Sequence, residues 1–312
     1  MKYFLIVFKF VLITTIAINL GCTKQEKQDY SPNFGRKSSI QNNAVEYIFA
    51  VHPLHNSRHF FEVYQPLVDY INKNTKEFSI RLEASHDYAH FEEKLKNRKF
   101  HFALPNPYQS CWSIDYGYTI FGKMGDDDQF RGIIVVRKDS NINSIKDLRG
   151  AAISFPSATA LAASMMPKYF LKTNGLDVEK DADCLYVGSQ ESSIMNVYVG
   201  KTKAGCTWAP PWESFIEAHP DVGNSLVVKW QTVPLINNGL VARNDVPVNH
   251  VKIFSDILVN LQKSSEGKDI LKRINLSCFE AITQHEYSLR VNAFLQKYKN
   301  LFGLLPGMGE NK

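Results

Sequence analysis

The chain has 312 residues, 44% of them hydrophobic and 21% charged, with 36 Lys and Arg against 31 Asp and Glu for a formal charge of +5. So hydrophobic a chain does not stay disordered, five cysteines are too few for a disulfide scaffold, and the length suits two domains or lobes with ample buried area. The excess charge is small and gathers in no Lys/Arg block, which disfavours a nucleic-acid partner.

Residues 1–21 read as a secretory signal rather than as part of the fold. Lys2 and Lys9 are their only charges, the rest is almost wholly apolar, and small residues close the segment. The uncharged run from Phe10 to Leu20 is short for the ~20 residues that span a bilayer. Cys22, directly after Leu20-Gly21, resembles the cysteine of a bacterial lipobox, although Asn19 stands where that pattern usually has Leu. The resemblance implies that Cys22 is lipidated and becomes the mature N-terminus, anchored to a membrane. Residues 22–43 then serve as a polar tether reaching roughly 25 Å. Cys111, Cys184, Cys206 and Cys278 remain, widely spaced and without a CxxC, which predicts free thiols or at most one bridge despite export.

From residue 45 onward, strand-like and helix-like runs alternate. VEYIFAV (45–51) is a strand; residues 58–73 place Phe61, Tyr64, Leu67, Val68 and Ile71 on one helix face; FSIRLEA (78–84) alternates as a strand; 88–98 is a helix; HFALP (101–105) is a short strand. The pattern recurs with strands at 133–138, 151–155, 184–189, 204–208, 225–230 and 239–243. Between them lie helices at 144–150, 158–173, 192–200 and 210–219. Residues 247–300 read as mostly helical. Strand–helix alternation predicts an α/β fold with parallel strands. Strand-like crossings near 130 and 235 predict two lobes joined by hinges.

Four predicted strands end in small or polar residues that open helices, at 52–57, 106–110, 156–160 and 188–193. In open α/β sheets ligands sit at such carboxyl ends, where helix N-termini offer free N–H groups to anions. Ser157 and Thr159 suit an oxyanion, but equally suit helix capping. His52, His55 and His59 suggest a metal set without a strong zinc spacing. Gly125-Asp126-Asp127-Asp128 lacks the spacing of a calcium loop and reads as a solvated turn. Trp208 and Trp212 follow a strand and suit either a cleft wall or a core. No GxSxG, Walker A or HExxH occurs, so neither catalysis nor a cofactor is expected.

These segments, in this order, resemble the phosphate/phosphite/phosphonate-binding proteins of bacterial ABC importers. YQPLVDYIN (64–72), DYAHFEEKLKNRKFHFALPNPYQS (87–110), RGIIVVRKDSNINSIKDLRGAAISF (131–155) and GSQESSIMNVYVGKTKAG (188–205) carry the resemblance. It implies a two-lobed type II periplasmic-binding-protein fold, the Venus flytrap with two hinge strands. Residues 44–131 plus 237–312 would form lobe 1 and 132–236 lobe 2. Ser157-Ala158-Thr159 resembles the family's Ser-Thr-Ser anion loop with Ala in the middle, and Pro167 follows farther away than usual. Tyr108 matches the tyrosine of the Pro-x-x-Tyr turn, and Gln190 falls at the family's histidine. Where the family has acidic residues, this chain has Cys206-Thr207-Trp208 and Ile236-Asn237-Asn238-Gly239.

The expectation is an extracytoplasmic, lipid-anchored, monomeric binding protein that delivers a small oxyanion to an ABC permease. Ser157, Ala158 and Thr159 would hold the anion, His52 and Tyr108 would donate from lobe 1, and Gln190, Glu191 and Trp208 would shape the opposite wall. Two alternatives stand beside it. One is a sensor that presents another oxyanion, such as an arsenic species, to a histidine kinase, with Cys206 or Cys111 involved. The other is a secreted metal-dependent hydrolase using His52, His55 and His59.

Overall fold

The strand β1 (Val45–Val51) buries Tyr47, Phe49, Ala50 and Val51 and lies inside a sheet rather than at its edge. Helices α1 (Ser57–Asn74) and α2 (Tyr88–Lys96) carry the chain back to β2 (Phe78–Glu83) and β3 (Phe102–Leu104), which flank β1 in parallel. Such parallel neighbours need a crossover of a dozen or more residues, which these helices supply. The inner face of α1 is Phe60, Val63, Tyr64, Leu67, Val68 and Ile71, all buried at three-and-four spacing. Strands β4 (Tyr118–Met124), β10 (Gly239–Arg243) and β11 (Phe279–Ala281) complete the first sheet antiparallel, in the order β11-β4-β10-β3-β1-β2. The computed structural model describes residues 45–54 and 57–307, so the predicted signal, Cys22, the tether and His55 lie outside the described residues.

The second sheet comprises β5 (Gly132–Arg137), β6 (Ala152–Phe155), β7 (Asp183–Tyr186), β8 (Ala204–Trp208) and β9 (Leu226–Gln231), in the order β7-β6-β8-β5-β9. Alternation on β5 is decisive here. Ile134 and Val136 join one core cluster with Ile153 and Phe155, while Ile133 and Val135 join another with Ile194 and Val197. Both faces of the sheet are therefore covered, which explains the unbroken apolar run of β5.

Two crossings, 125–131 and 232–238, connect the sheets and are hydrogen-bonded side by side. Leu235 N donates to Phe130 O at 3.0 Å, Thr232 N to Gly132 O at 2.9 Å, and Asn237 Nδ2 to Gly125 O at 2.7 Å. Asp127 ties them further: it accepts from Asn237 N at 2.9 Å, the nearly buried Lys123 at 2.9 Å and Arg290 at 2.7 Å. Burial pushes the Asp127 carboxyl up, but these donors outweigh it and hold the pKa below its usual value. The acidic turn predicted as solvated is thus a clasp between the crossings.

The long C-terminal helix, α11 (Gln284–Phe302), spans both halves. Tyr287 Oη donates to Asn237 O at 2.7 Å at one end, and Phe294 meets Tyr169 at 5.6 Å farther along. At the far end Lys172 Nζ sits 4.4 Å from the Phe302 ring centre. The helix expected at 158–173 begins later: a π turn at Leu161–Met165 runs into α4 (Met166–Thr173), and residues 156–160 are loop. Strands β4 and β11 carried no sequence signal strong enough to be predicted, because Gly122 and Lys123 interrupt one and the other has three residues.

Candidate functional site

The carboxyl ends of β1, β3, β6 and β8 meet at the seam between the sheets. His52 follows β1 and is 2% exposed. Its Nδ1–H donates to Leu104 O at 2.9 Å, and its backbone N–H reaches the same carbonyl at 3.2 Å. Burial lowers its pKa to about 4, against the Leu104 bond that favours the proton, so the ring is neutral and Nε2 is an acceptor.

Tyr88 opens α2, whose N-cap Asp87 accepts from His90 N at 2.8 Å. Gln190 opens α6 (Gln190–Tyr198), capped by Ser189 through Ser192 N at 3.1 Å. A directed chain joins them: Thr207 Oγ1 donates to Gln190 Oε1 at 2.7 Å, and Gln190 Nε2 donates to Tyr88 Oη at 3.1 Å across the seam. Having accepted from Gln190, the Tyr88 hydroxyl keeps its proton for another acceptor; burial pushes its pKa well above the usual value.

These groups enclose a cavity of ≈ 10 Å³, room for about one water as the lobes stand. His52, Tyr88, Gln190, Trp208 and Asn238 line it, as does the run Ala160–Ala163. Helix geometry leaves the N–H groups of Leu161, Ala162 and Ala163 without intrahelical acceptors. Gly132 lets this helix start sit so low, since a Cβ there would fall 2.3 Å from Ala162 O. Trp208 packs on Phe130 at 5.1 Å as the apolar wall. Asn238 is fully buried and its Oδ1 has no hydrogen-bond partner. A wider groove of ≈ 560 Å³ lies beside Lys168, Glu179 and Tyr186, but only residues 152–186 line it, along the edge strand β7.

The predicted residues divide between this cavity and its surroundings. His52, Gln190 and Trp208 line it. Tyr108 is buried but turns away, its hydroxyl donating to Pro306 O at 2.5 Å. Ser157, Ala158 and Thr159 lie in the loop before the helix start, outside the cavity lining. The Thr159 hydroxyl donates to the Glu92 carboxylate of α2 and accepts from Ser157 Oγ at 3.1 Å. Thr159 O accepts from Asn106 Nδ2 at 3.1 Å, and Gln109 Nε2 also reaches Glu92 at 2.9 Å. Ser157 and Thr159 thus serve a bridge between the halves, and Ala160–Ala163 occupy the wall they were expected to form. Glu191 is half-buried beside Gln190 and is not part of the lining.

Sequence reasoning missed Tyr88 and Leu161–Ala163, and it left Asn106, Ala160 and Asn238 inside candidate segments without a side-chain role. Among the described residues no group of three His, Cys, Asp or Glu stands close enough for a metal. The thiols Cys111, Cys184, Cys206 and Cys278 are free and none lines the cavity.

A family model described as ABC transporter, phosphonate, periplasmic substrate-binding protein matches residues 49–287. The chain is 26% identical over 174 residues to a probable ABC transporter phosphite binding protein, PhnD1, of Prochlorococcus marinus. That match covers 52% of this chain and spans 59% of the relative's length. Among solved structures, a binding protein component of an ABC phosphonate transporter from Pseudomonas aeruginosa superposes with TM-score 0.76 at 16% identity, over 86% of this chain and 91% of that one. P. marinus PhnD1 in complex with methylphosphonate gives 0.72 at 18% identity, over 83% and 98%. These similarities establish the two-lobed type II periplasmic-binding-protein fold, and the family's members are substrate-binding components of transporters rather than enzymes. The chain belongs to the phosphonate periplasmic substrate-binding protein family of ABC transporters.

Proposed function

We propose that this protein is an extracytoplasmic receptor that captures a small phosphorus oxyanion (phosphate, phosphite or a phosphonate) between two lobes and delivers it to an ABC permease. Residues 44–131 plus 237–312 form one lobe and 132–236 the other. The observation that carries the reading is the convergence on one cavity of the first-turn amides 161–163 with Tyr88, His52 and Asn238. Neutral, pre-oriented donors at a helix start favour an anion without a basic side chain. At ≈ 10 Å³ the cavity admits such an anion only when the lobes part at the paired crossings, and it favours a compact ligand over a long-chained one. In this reading Cys22 carries the lipid, residues 22–43 are the tether, the protein acts as a monomer, and no cofactor takes part.

Calorimetry of the protein from residue 23 onward against phosphate, phosphite, methylphosphonate and 2-aminoethylphosphonate tests this. Binding of at least one tighter than millimolar is expected. A folded protein that binds none of them would sink the ligand class. Membrane association abolished by Cys22→Ala tests the anchor separately.

A further inference from the structure

Two residues that line the cavity, His52 and Asn238, carry hydrogen-bond acceptors, and a fully deprotonated oxyanion has nothing to give an acceptor. Two observations set this polarity independently. The Leu104 carbonyl can only accept, so the neutral His52 ring carries its proton on Nδ1, and Nε2 is a lone-pair acceptor. Asn238 is fully buried in the second crossing; its Nδ2 is turned to Met124 Sδ at 3.4 Å, which leaves Oδ1 as an acceptor without a partner. An unsatisfied buried carbonyl costs on the order of the desolvation of that group, which a ligand O–H would recover.

We propose that the cleft binds its oxyanion in a protonated form that still carries an O–H, with Asn238 Oδ1 and His52 Nε2 as the acceptors that read the proton. The Tyr88 hydroxyl and the amides 161–163 then take the unprotonated oxygens. Asn238 is thereby a specificity-determining residue for protonation state, and this inference rests on the reading of the cleft as an oxyanion site.

The protein's own groups do not mask the effect between pH 6 and 9. His52 titrates near pH 4, and the Tyr88 and Tyr108 hydroxyls are pushed above this range by burial. The Glu92 carboxylate acts on both tyrosines. Asp127, bonded to the neighbouring Asn237 N–H, and Glu280 are matched by Lys123 and Arg290.

The test is calorimetry with methylphosphonate from pH 6 to 9, in parallel with methanesulfonate, a monoanion of similar shape that carries no proton there. If only the protonated form binds, the apparent Kd rises about tenfold per pH unit above the ligand's second pKa. Methanesulfonate should bind at least about tenfold more weakly than methylphosphonate at pH 6, the loss expected for one unmade hydrogen bond to a buried acceptor. Asn238→Leu removes one acceptor and should narrow the gap between the two ligands. A methylphosphonate affinity that is flat or rises with pH, or equal binding of methanesulfonate, would overturn the inference while leaving the oxyanion reading intact. Binding of neither at any pH would overturn both.

Discussion

The Thr159–Glu92 contact offers a direct probe of how the lobes are held together. The Thr159 hydroxyl and the Glu92 carboxylate belong to opposite halves, so their bond exists only when the cleft is closed. Hydrogen bonds to charged groups contribute about 1.5–3 kcal/mol net. The Glu92 oxygen is shared with Gln109 and the carboxylate is half-buried, so the low end applies, about 1.5 kcal/mol. At ≈ 10 Å³ the closed cleft holds no oxyanion, so ligand binds only once this bond has opened, and Thr159→Val should therefore raise apparent affinity by up to roughly tenfold. Calorimetry on Thr159→Val, Glu92→Gln and the double variant reads the coupling. Each single variant should gain a similar factor, and the double should gain little more than either. Additive gains would refute the bridge, and a loss for Thr159→Val with Glu92→Gln unaffected would return Thr159 to direct ligand contact.

Three further outcomes follow from the packing and the titrating groups. Gly132→Ala places a Cβ 2.3 Å from Ala162 O and 2.8 Å from Pro167, so it should cost about 1–3 kcal/mol in urea unfolding and weaken binding by displacing the helix start. Phe254→Ala removes the ring stacked at 4.2 Å on Phe102 and should destabilise by about 3–5 kcal/mol without altering the pH dependence of binding. His52 resists protonation in the fold, where its pKa is about 4 against 6.5 for the free side chain. The unfolded chain therefore takes up the proton first, and stability should fall as pH drops from 6.5 to 4, by up to about 3 kcal/mol, and stay level above 6.5. In His52→Asn that slope should flatten; an unchanged slope would mean that another group produces it.

The alternation of strands and helices was legible because β1 and β5 carry apolar β-branched residues and helix α1 has a strong three-and-four face. β4 and β11 were not, because their pairing is long-range: β11 joins the sheet through Glu280 opposite Lys123, a contact that no local pattern encodes. At the site, His52, Gln190 and Trp208 were legible as residues at strand ends and helix starts. Ser157 and Thr159 drew attention because hydroxyls advertise anion binding, while the residues that line the wall, Ala160–Ala163, have no polar side chain to advertise anything. Backbone amides were expected at the end of the 156–160 segment, but a π turn moves the helix start to Leu161, away from the residues that look like its cap. Asn238 was hidden differently, since which of two adjacent asparagines faces the cleft depends on Asn237 being taken by Gly125 and Asp127.

In the proposed complex the ligand meets the amides of Leu161, Ala162 and Ala163. Titrating isotope-labelled protein with methylphosphonate while following backbone ¹H–¹⁵N resonances tests it most directly. Downfield shifts of those three amide protons, saturating together with the calorimetric isotherm, are expected. Saturable binding that leaves them in place and moves the amides of Ser157 to Thr159, or of the groove beside Lys168, would contradict it.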